Sequence, residues 1–287
     1  MKQLTIISGK GGTGKTSLTA CFAVLERESV IIDCDVDAAN LYLLLNPIVE
    51  EKGEFVGSKV SKLGEGCISC GKCEEACRFD AISDSLRQPI IDPITCEGCG
   101  VCVEVCPVDA LTLIPQGTGD WYSSKTDYGP MIHAKLYPGG EGSGYLVTFL
   151  RQKGEDLAYE QGIDTIIIDG PPGIGCPVIA SLAGVDLALI VTEPTLSGIS
   201  DFQRALALAD HFGVYPLVCI NKCDLNLEMT SEIRDFCKRE KVDLVGEVPY
   251  DPVFTEAMMF GKTVIEYSQN EVSHLVEDIW KRIRKYL

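Results

Sequence analysis

The chain has 287 residues, 46% of them hydrophobic, with 42 acidic against 25 basic side chains and a formal charge of −17. That length suits one large α/β domain plus a small module, and the apolar content can bury a sizeable core. The charge argues against a duplex nucleic-acid partner, because phosphates repel an acidic surface. With no apolar run of about 18 residues and no basic leader, the expected location is the cytoplasm.

An apolar run at residues 3–7 predicts the first strand. It leads into Gly9-Lys10-Gly11-Gly12-Thr13-Gly14-Lys15-Thr16, which fits G-x-x-x-x-G-K-[ST], and a helix is expected from about Lys15. Glycines there let backbone N–H groups turn toward phosphate oxygens, and the helix N-terminus adds partial positive charge. Lys15 is suited to the β- and γ-phosphates and the Thr16 hydroxyl to Mg²⁺. A second strand at residues 29–32 delivers Asp33, and Cys34-Asp35-Val36-Asp37 follows. Carboxylates after a buried strand suit phosphoryl transfer, which needs positioned water and neutralised charge. A short helix is expected through residues 40–45, with Pro47 ending it.

The texture changes between residues 59 and 115, where apolar density falls and eight of the fourteen cysteines appear at fixed spacing. Cys67-x₂-Cys70-x₂-Cys73-x₃-Cys77 is followed by Cys96-x₂-Cys99-x₂-Cys102-x₃-Cys106-Pro107. Asp80-Ala81-Ile82 recurs 29 residues later as Asp109-Ala110-Leu111, so the segment is an internal duplication. Soft thiolates in such runs are iron–sulfur ligands, and in two-cluster ferredoxins the fourth cysteine of each run crosses to the other cluster. That rule assigns Cys67, Cys70, Cys73 and Cys106 to one [4Fe–4S] cluster, and Cys96, Cys99, Cys102 and Cys77 to the other.

Residues 117–144 are glycine-rich and receive no element. Strands are expected at 165–168, 187–191, 217–220 and 244–248, with helices at 200–212 and 228–240. Short apolar runs alternating with helices indicate a parallel sheet covered on both faces. The strand at 165–168 delivers Asp169 at its C-terminal edge, ahead of Gly170-Pro171-Pro172-Gly173. Asn221-Lys222-Cys223-Asp224 matches, taken alone, the N-K-x-D guanine reader. Cys176, seven residues after Asp169, reads as a small residue under a loop more readily than as a metal ligand. Val272, Leu275, Val276, Ile279, Trp280, Ile283 and Leu287 form an apolar stripe at helical spacing, read as a packing face in preference to a membrane-binding one.

Lys10, directly before Gly11-Gly12, turns the first motif into K-G-G-x-G-K-T. With the segments around Asp35 and Asp169, it resembles the MinD/ParA/Mrp/nitrogenase-iron-protein class of ATPases. The cysteine segment resembles that of ferredoxin-containing, MinD-like members. The resemblance implies an α/β P-loop NTPase with a mainly parallel sheet covered by helices on both faces, and an inserted small α+β ferredoxin domain. The expected limits are 1–58 and 116–287 for the ATPase and 59–115 for the insert, which falls between the Asp35 and Asp169 segments.

The resemblance also implies roles. Lys10 reaches a second subunit's nucleotide, and Asp35 orients the attacking water, so Lys10, Lys15 and Asp35 are the expected catalytic residues. Thr16, Asp33 and Asp169 serve Mg²⁺. Residues 9–16, Asn221, Pro249 and Asp251 bind the nucleotide, which is ATP in preference to GTP. The implied cofactors are ATP, Mg²⁺ and two [4Fe–4S] clusters. The implied partners are a second copy in an ATP-dependent homodimer and a redox protein or metallocofactor client, with nucleic acid not expected and membrane disfavoured. The alternative is a positioning ATPase of the MinD/ParA kind with clusters as redox sensors.

Overall fold

Short β-branched runs between glycine-bearing turns give eleven strands and eleven helices in the computed structural model, which describes residues 1–140 and 143–287. The chain divides into two units: Met1–Lys52, Trp121–Ala134 and Gly142–Leu287 form the first, and Gly53–Asp120 with Lys135–Glu141 the second. The chain begins with β1 (Lys2–Ser8), α1 (Lys15–Glu26), β2 (Val30–Asp33), α2 (Tyr42–Leu45) and β3 (Ile48–Leu63). Then come α3 (Lys72–Ala76), β4 (Ile82–Ser83), β5 (Ile90–Ile91), α4 (Val101–Glu104), β6 (Leu111–Thr126) and β7 (Gly129–Leu136). The remainder is α5 (Gly144–Gln161), β8 (Thr165–Pro172), α6 (Cys176–Leu182), β9 (Leu187–Thr192), α7 (Leu196–His211) and β10 (Tyr215–Asn221). It closes with α8 (Leu227–Glu240), β11 (Asp243–Val248), α9 (Val253–Met259), α10 (Val264–Tyr267) and α11 (Glu271–Ile283).

In the first unit, β11-β10-β9-β1-β8-β2-β7 are neighbours in that order, and each adjacent pair among them runs parallel. β6 and β3 complete the sheet order. The central strands are buried on both faces, with Leu4, Ile6, Ile167 and Leu189 fully enclosed, as a parallel sheet under two helical layers requires. β1 lies between β8 and β9, so the order reverses beside it and ligand-binding loops gather at its C-terminal edge. The C-terminal stripe is a packing face. Val272, Val276, Ile279, Trp280 and Ile283 of α11 belong to the main core, and Trp280 stacks on Phe22 of α1 with ring centroids 5.1 Å apart. Among the described residues no helix is long and apolar enough to cross a membrane.

The second unit is built on the duplication. Ser69, Gly71 and Asp80 have positive φ, and so do Gly98, Gly100 and Asp109, the positions 29 residues on. Gly71 and Gly100 start α3 and α4 in the left-handed region, which glycine enters without a Cβ penalty. Ile82 and Leu111 share a small core with Cys73 and Cys102.

Two expectations need correction. The limits at 58/59 and 115/116 fall inside β3 and β6, each 16 residues long. The glycine-rich stretch is largely strand, β6 and β7, with residues 141 and 142 outside the described set. Its glycines answer to close approach: a Cβ on Gly129 would stand 2.1 Å from the Ser29 carbonyl oxygen.

Within β7, His133 is buried, stacks on Tyr122 at 4.9 Å, and has Nε2 3.2 Å from Ser124 Oγ. Burial lowers its pKa from 6.5 to about 4. The unfolded chain therefore takes up this proton between those values and the folded chain does not. Stability from this group is complete above pH 6.5 and is lost as pH falls toward 4, by up to about 3 kcal/mol. Denaturant unfolding from pH 7 to 4 should show that loss, and His133→Gln should reduce it. Parallel pH profiles for the two proteins would refute it.

Candidate functional site

The turn after β1 and the start of α1 wall a cavity of about 540 Å³, within the range of small-molecule sites. Gly11, Gly12, Thr13, Gly14, Lys15 and Thr16 line it, as do Asp35, Asn221, Pro249 and Asp251. Gly14 has φ 88° and precedes the first turn of α1, which opens backbone N–H groups toward the cavity. Asn221 Nδ2 donates to the Thr13 carbonyl at 2.7 Å and ties the end of β10 to the turn. Gly9 does not line the cavity. A Cβ there would meet the backbone of Asp201 at 2.5 Å, so this glycine serves close approach to α7.

Lys15 stands among carboxylates. Its Nζ is 2.9 Å from Asp169 Oδ1 and 3.3 Å from Asp35 Oδ2. Asp169 is fully buried, and Thr16 and Thr19 also donate to it, at 2.7 and 3.0 Å. Asp33, equally buried, accepts the backbone N–H groups of Asp35 and Leu41. Burial alone would lower the Lys15 pKa, but Asp169 and Asp35 more than offset it, and the net shift is upward. Burial, then the charge of Asp169, pushes Asp33 well above the usual carboxylate range. Burial is also the main cause of the upward shift of Asp35, which Lys15 only partly offsets. The Thr16 hydroxyl beside the Asp169 carboxylate is a hard oxygen set, the donor chemistry that Mg²⁺ takes.

Lys10 is not among the residues lining the cavity. Its Nζ lies 2.6 Å from Glu193 Oε1 and 3.1 Å from both Thr195 Oγ1 and Ser197 Oγ. Asp224 is likewise absent from the lining. Its Oδ1 accepts the backbone N–H of Tyr250 at 2.6 Å, so this carboxylate shapes the β11–α9 turn. Glu193 and Thr19 escaped the sequence reading. Glu193 had a signal: it follows β9 at the C-terminal edge of the sheet, where such folds collect ligand-binding groups. Leu43, Phe254 and Met258 also line the cavity, and nothing in their local sequence marks them.

The second unit holds two smaller cavities. Cys67, Cys70, Cys73 and Cys106 line one; Cys77, Cys96, Cys99 and Cys102 line the other. Cys67 and Cys106 each receive a backbone N–H, from Ser69 at 3.4 Å and Ala110 at 3.3 Å. Cys102 Sγ lies 3.3 Å from Ser61 Oγ. Among the described residues no three His, Cys, Asp or Glu side chains converge as a site for a single ion. Cys176 is exposed at the start of α6 and belongs to neither cavity.

The model of the CobQ/CobB/MinD/ParA nucleotide-binding domain matches residues 4–264. An uncharacterized protein of Methanocaldococcus jannaschii is 35% identical over 99% of this chain and 97% of its own length. The cell division ATPase MinD of Pyrococcus furiosus superposes with a TM-score of 0.61 at 19% identity, covering 100% of this chain and 99% of its own. The septum site-determining protein MinD of Pyrococcus horikoshii, solved with Mg-ADP, gives 0.61 at 17%, covering 99% and 96%.

Asp35 is costlier to ionise in the folded chain than in the unfolded one, so its charge destabilises the nucleotide-free protein above its titration. Asp35→Asn should raise the thermal midpoint of the nucleotide-free protein at pH 7.5. The gain should shrink toward pH 4 as wild-type Asp35 takes up its proton. Calorimetry without nucleotide checks both; a lower midpoint at pH 7.5 refutes the assignment.

Proposed function

The chain is an ATPase of the CobQ/CobB/MinD/ParA nucleotide-binding family, and from that premise we propose that it is an iron–sulfur ATPase whose nucleotide state governs electron transfer or metallocofactor assembly. The observation that carries the iron–sulfur part is the lining of the two cysteine cavities. Each gathers three cysteines of one run and the fourth of the other, the crossed arrangement of two-cluster ferredoxins. Cys67, Cys70, Cys73 and Cys106 would hold one [4Fe–4S] cluster, and Cys96, Cys99, Cys102 and Cys77 the other. When bound, such clusters supply one-electron storage.

At the nucleotide, each residue does one thing. Residues 11–14 present backbone N–H groups to the phosphates, and Lys15 neutralises the β- and γ-phosphates. Lys15 leaves its carboxylate partners to do so. Asp169 and Thr16 would hold Mg²⁺, with support from Asp33, and the ion would neutralise phosphate charge. Asp35, on the cavity wall, orients the attacking water. Asn221, Pro249 and Asp251 border the base, with Leu43 and Met258 as an apolar wall. Lys10 completes the site of a second copy in an ATP-dependent homodimer. Asp35→Asn should lower turnover by at least about a hundredfold, the usual scale for a positioned proton-transfer or water-orienting group.

Similarity to septum site-determining MinD favours a second reading, a positioning ATPase with clusters as redox sensors. The burial of the α11 stripe speaks against membrane attachment by that face. Pelleting with liposomes and with DNA, plus and minus ATP, separates the readings, since only a positioning ATPase co-sediments.

Anaerobic purification tests the main reading. Roughly eight irons and eight acid-labile sulfides per chain are expected, falling to about four of each in Cys77→Ala. A metal count unchanged in Cys77→Ala would remove the crossed assignment. An electron paramagnetic resonance signal and an ATPase rate that ignore one another's ligands would remove the coupling and leave both sites.

A further inference from the structure

We propose that Glu193 is a positioning residue that restrains Lys10 on its own chain and divides its charge between Lys10 and Lys222. The proposal rests on the reading of Lys10 as the lysine that completes a second copy's site. Glu193 stands at the end of β9 with its side chain only 11% exposed. Its Oε1 is 2.6 Å from Lys10 Nζ and its Oε2 is 3.1 Å from Lys222 Nζ, so each carboxylate oxygen serves one lysine. Both lysine side chains are also largely covered, at 30% and 27% exposure.

The two cations come from the two loops that wall the nucleotide cavity. Lys10 belongs to the turn after β1, and Lys222 follows β10 and also donates to the Gly12 carbonyl at 2.9 Å. Thr195 and Ser197 accept the remaining Lys10 protons, and Thr195 caps α7 through the Gly198 N–H. A Cβ on Gly198 would stand 2.3 Å from the Glu193 carbonyl oxygen, which fixes the bend that brings Glu193 and the Thr195 cap together. Burial would raise the Glu193 pKa, but hydrogen bonds from Lys10 and Lys222 offset it and hold the carboxyl below its usual range.

Without the Glu193 charge, Lys10 keeps only two neutral hydroxyl acceptors. Hydrogen bonds to a charged partner are about twice as strong as neutral ones, so most of the restraint lies in the carboxylate. Lys222 draws on the same charge, so removing Lys222 should tighten the hold on Lys10. A carboxylate of purely structural value would not give these opposite signs.

The experiment is limiting acetylation of the nucleotide-free protein with acetic anhydride, reading Lys10 by peptide mass spectrometry. Lys10 in Glu193→Gln should react about tenfold faster than in wild type, as expected for losing one partly buried ion pair. Glu193→Asp should stay near wild type, and Lys222→Met should react more slowly. Equal Lys10 rates in wild type and a folded Glu193→Gln overturn the proposal. An unchanged or faster rate in Lys222→Met overturns the shared charge, and remains measurable if Glu193→Gln does not fold. Sedimentation with ATP and Mg²⁺ reads the two-copy model separately. Association at about tenfold lower concentration in Glu193→Gln supports the restraint, because a freed Lys10 is available to the other copy. No association in any of the proteins refutes the two-copy reading, while the acetylation rates still decide on Glu193.

Discussion

Three buried or half-buried carboxylates around one ammonium group set the terms for the nucleotide unit. Asp33 at the end of β2 and Asp169 within β8 are sealed from solvent, Asp35 closes the third side, and Lys15 is the cation that makes them tolerable together. Like charges at this range would otherwise repel strongly in a poorly screened interior. In the nucleotide-free site Lys15 offsets part of this charge, in the role that Mg²⁺ and Lys15 would share once phosphates arrive. Binding becomes an exchange of partners. The energetic penalty of burying the acids is met beforehand by the fold, which leaves ATP and its metal less reorganisation to drive.

The sequence made the nucleotide site largely legible because phosphate chemistry demands glycines, a lysine and carboxylates at fixed offsets from a strand. The parallel strands were legible for a similar reason: burial on both faces leaves continuous apolar runs such as residues 166–168. β3 was not. Its residues alternate little, and most of its side chains are exposed, so no period-2 signal separates it from a polar linker. β6 was hidden by its glycines, which ordinarily mark turns but at Gly117 and Gly119 make room for Glu54 and the 135–136 backbone. Glu193 was missed because a single acid after a strand is common, and only the positions of Lys10 and Lys222 give it meaning.

The cysteine unit was legible at a different level. The crossing rule of two-cluster ferredoxins, applied to the spacing, divided the eight cysteines into two sets, and the two cavities gather them in the same sets. The duplication extends to the backbone, since three pairs of positive-φ residues recur with the cysteines. The halves are nevertheless not interchangeable. Position 69 carries serine with φ 54°, whereas a Cβ at Gly98 would approach the Lys59 carbonyl oxygen to 2.3 Å. One half has side-chain freedom where the other has none, so the duplicated turns can diverge further on the Ser69 side.

The stacking of Trp280 on Phe22 has an optical consequence. Phe22 lies on α1, two turns beyond Lys15, and Trp280 Nε1 donates to Glu26 on the same helix. The chain has only one other tryptophan, Trp121, whose ring sits beneath the Lys153 ammonium at 4.3 Å. The two indoles therefore occupy different electrostatic surroundings, one stacked on Phe22 and hydrogen-bonded to the Glu26 carboxylate of α1 and one beside a cation. Their emission can be resolved by removing either, which gives the protein an intrinsic fluorophore that reports on α1 without any attached dye.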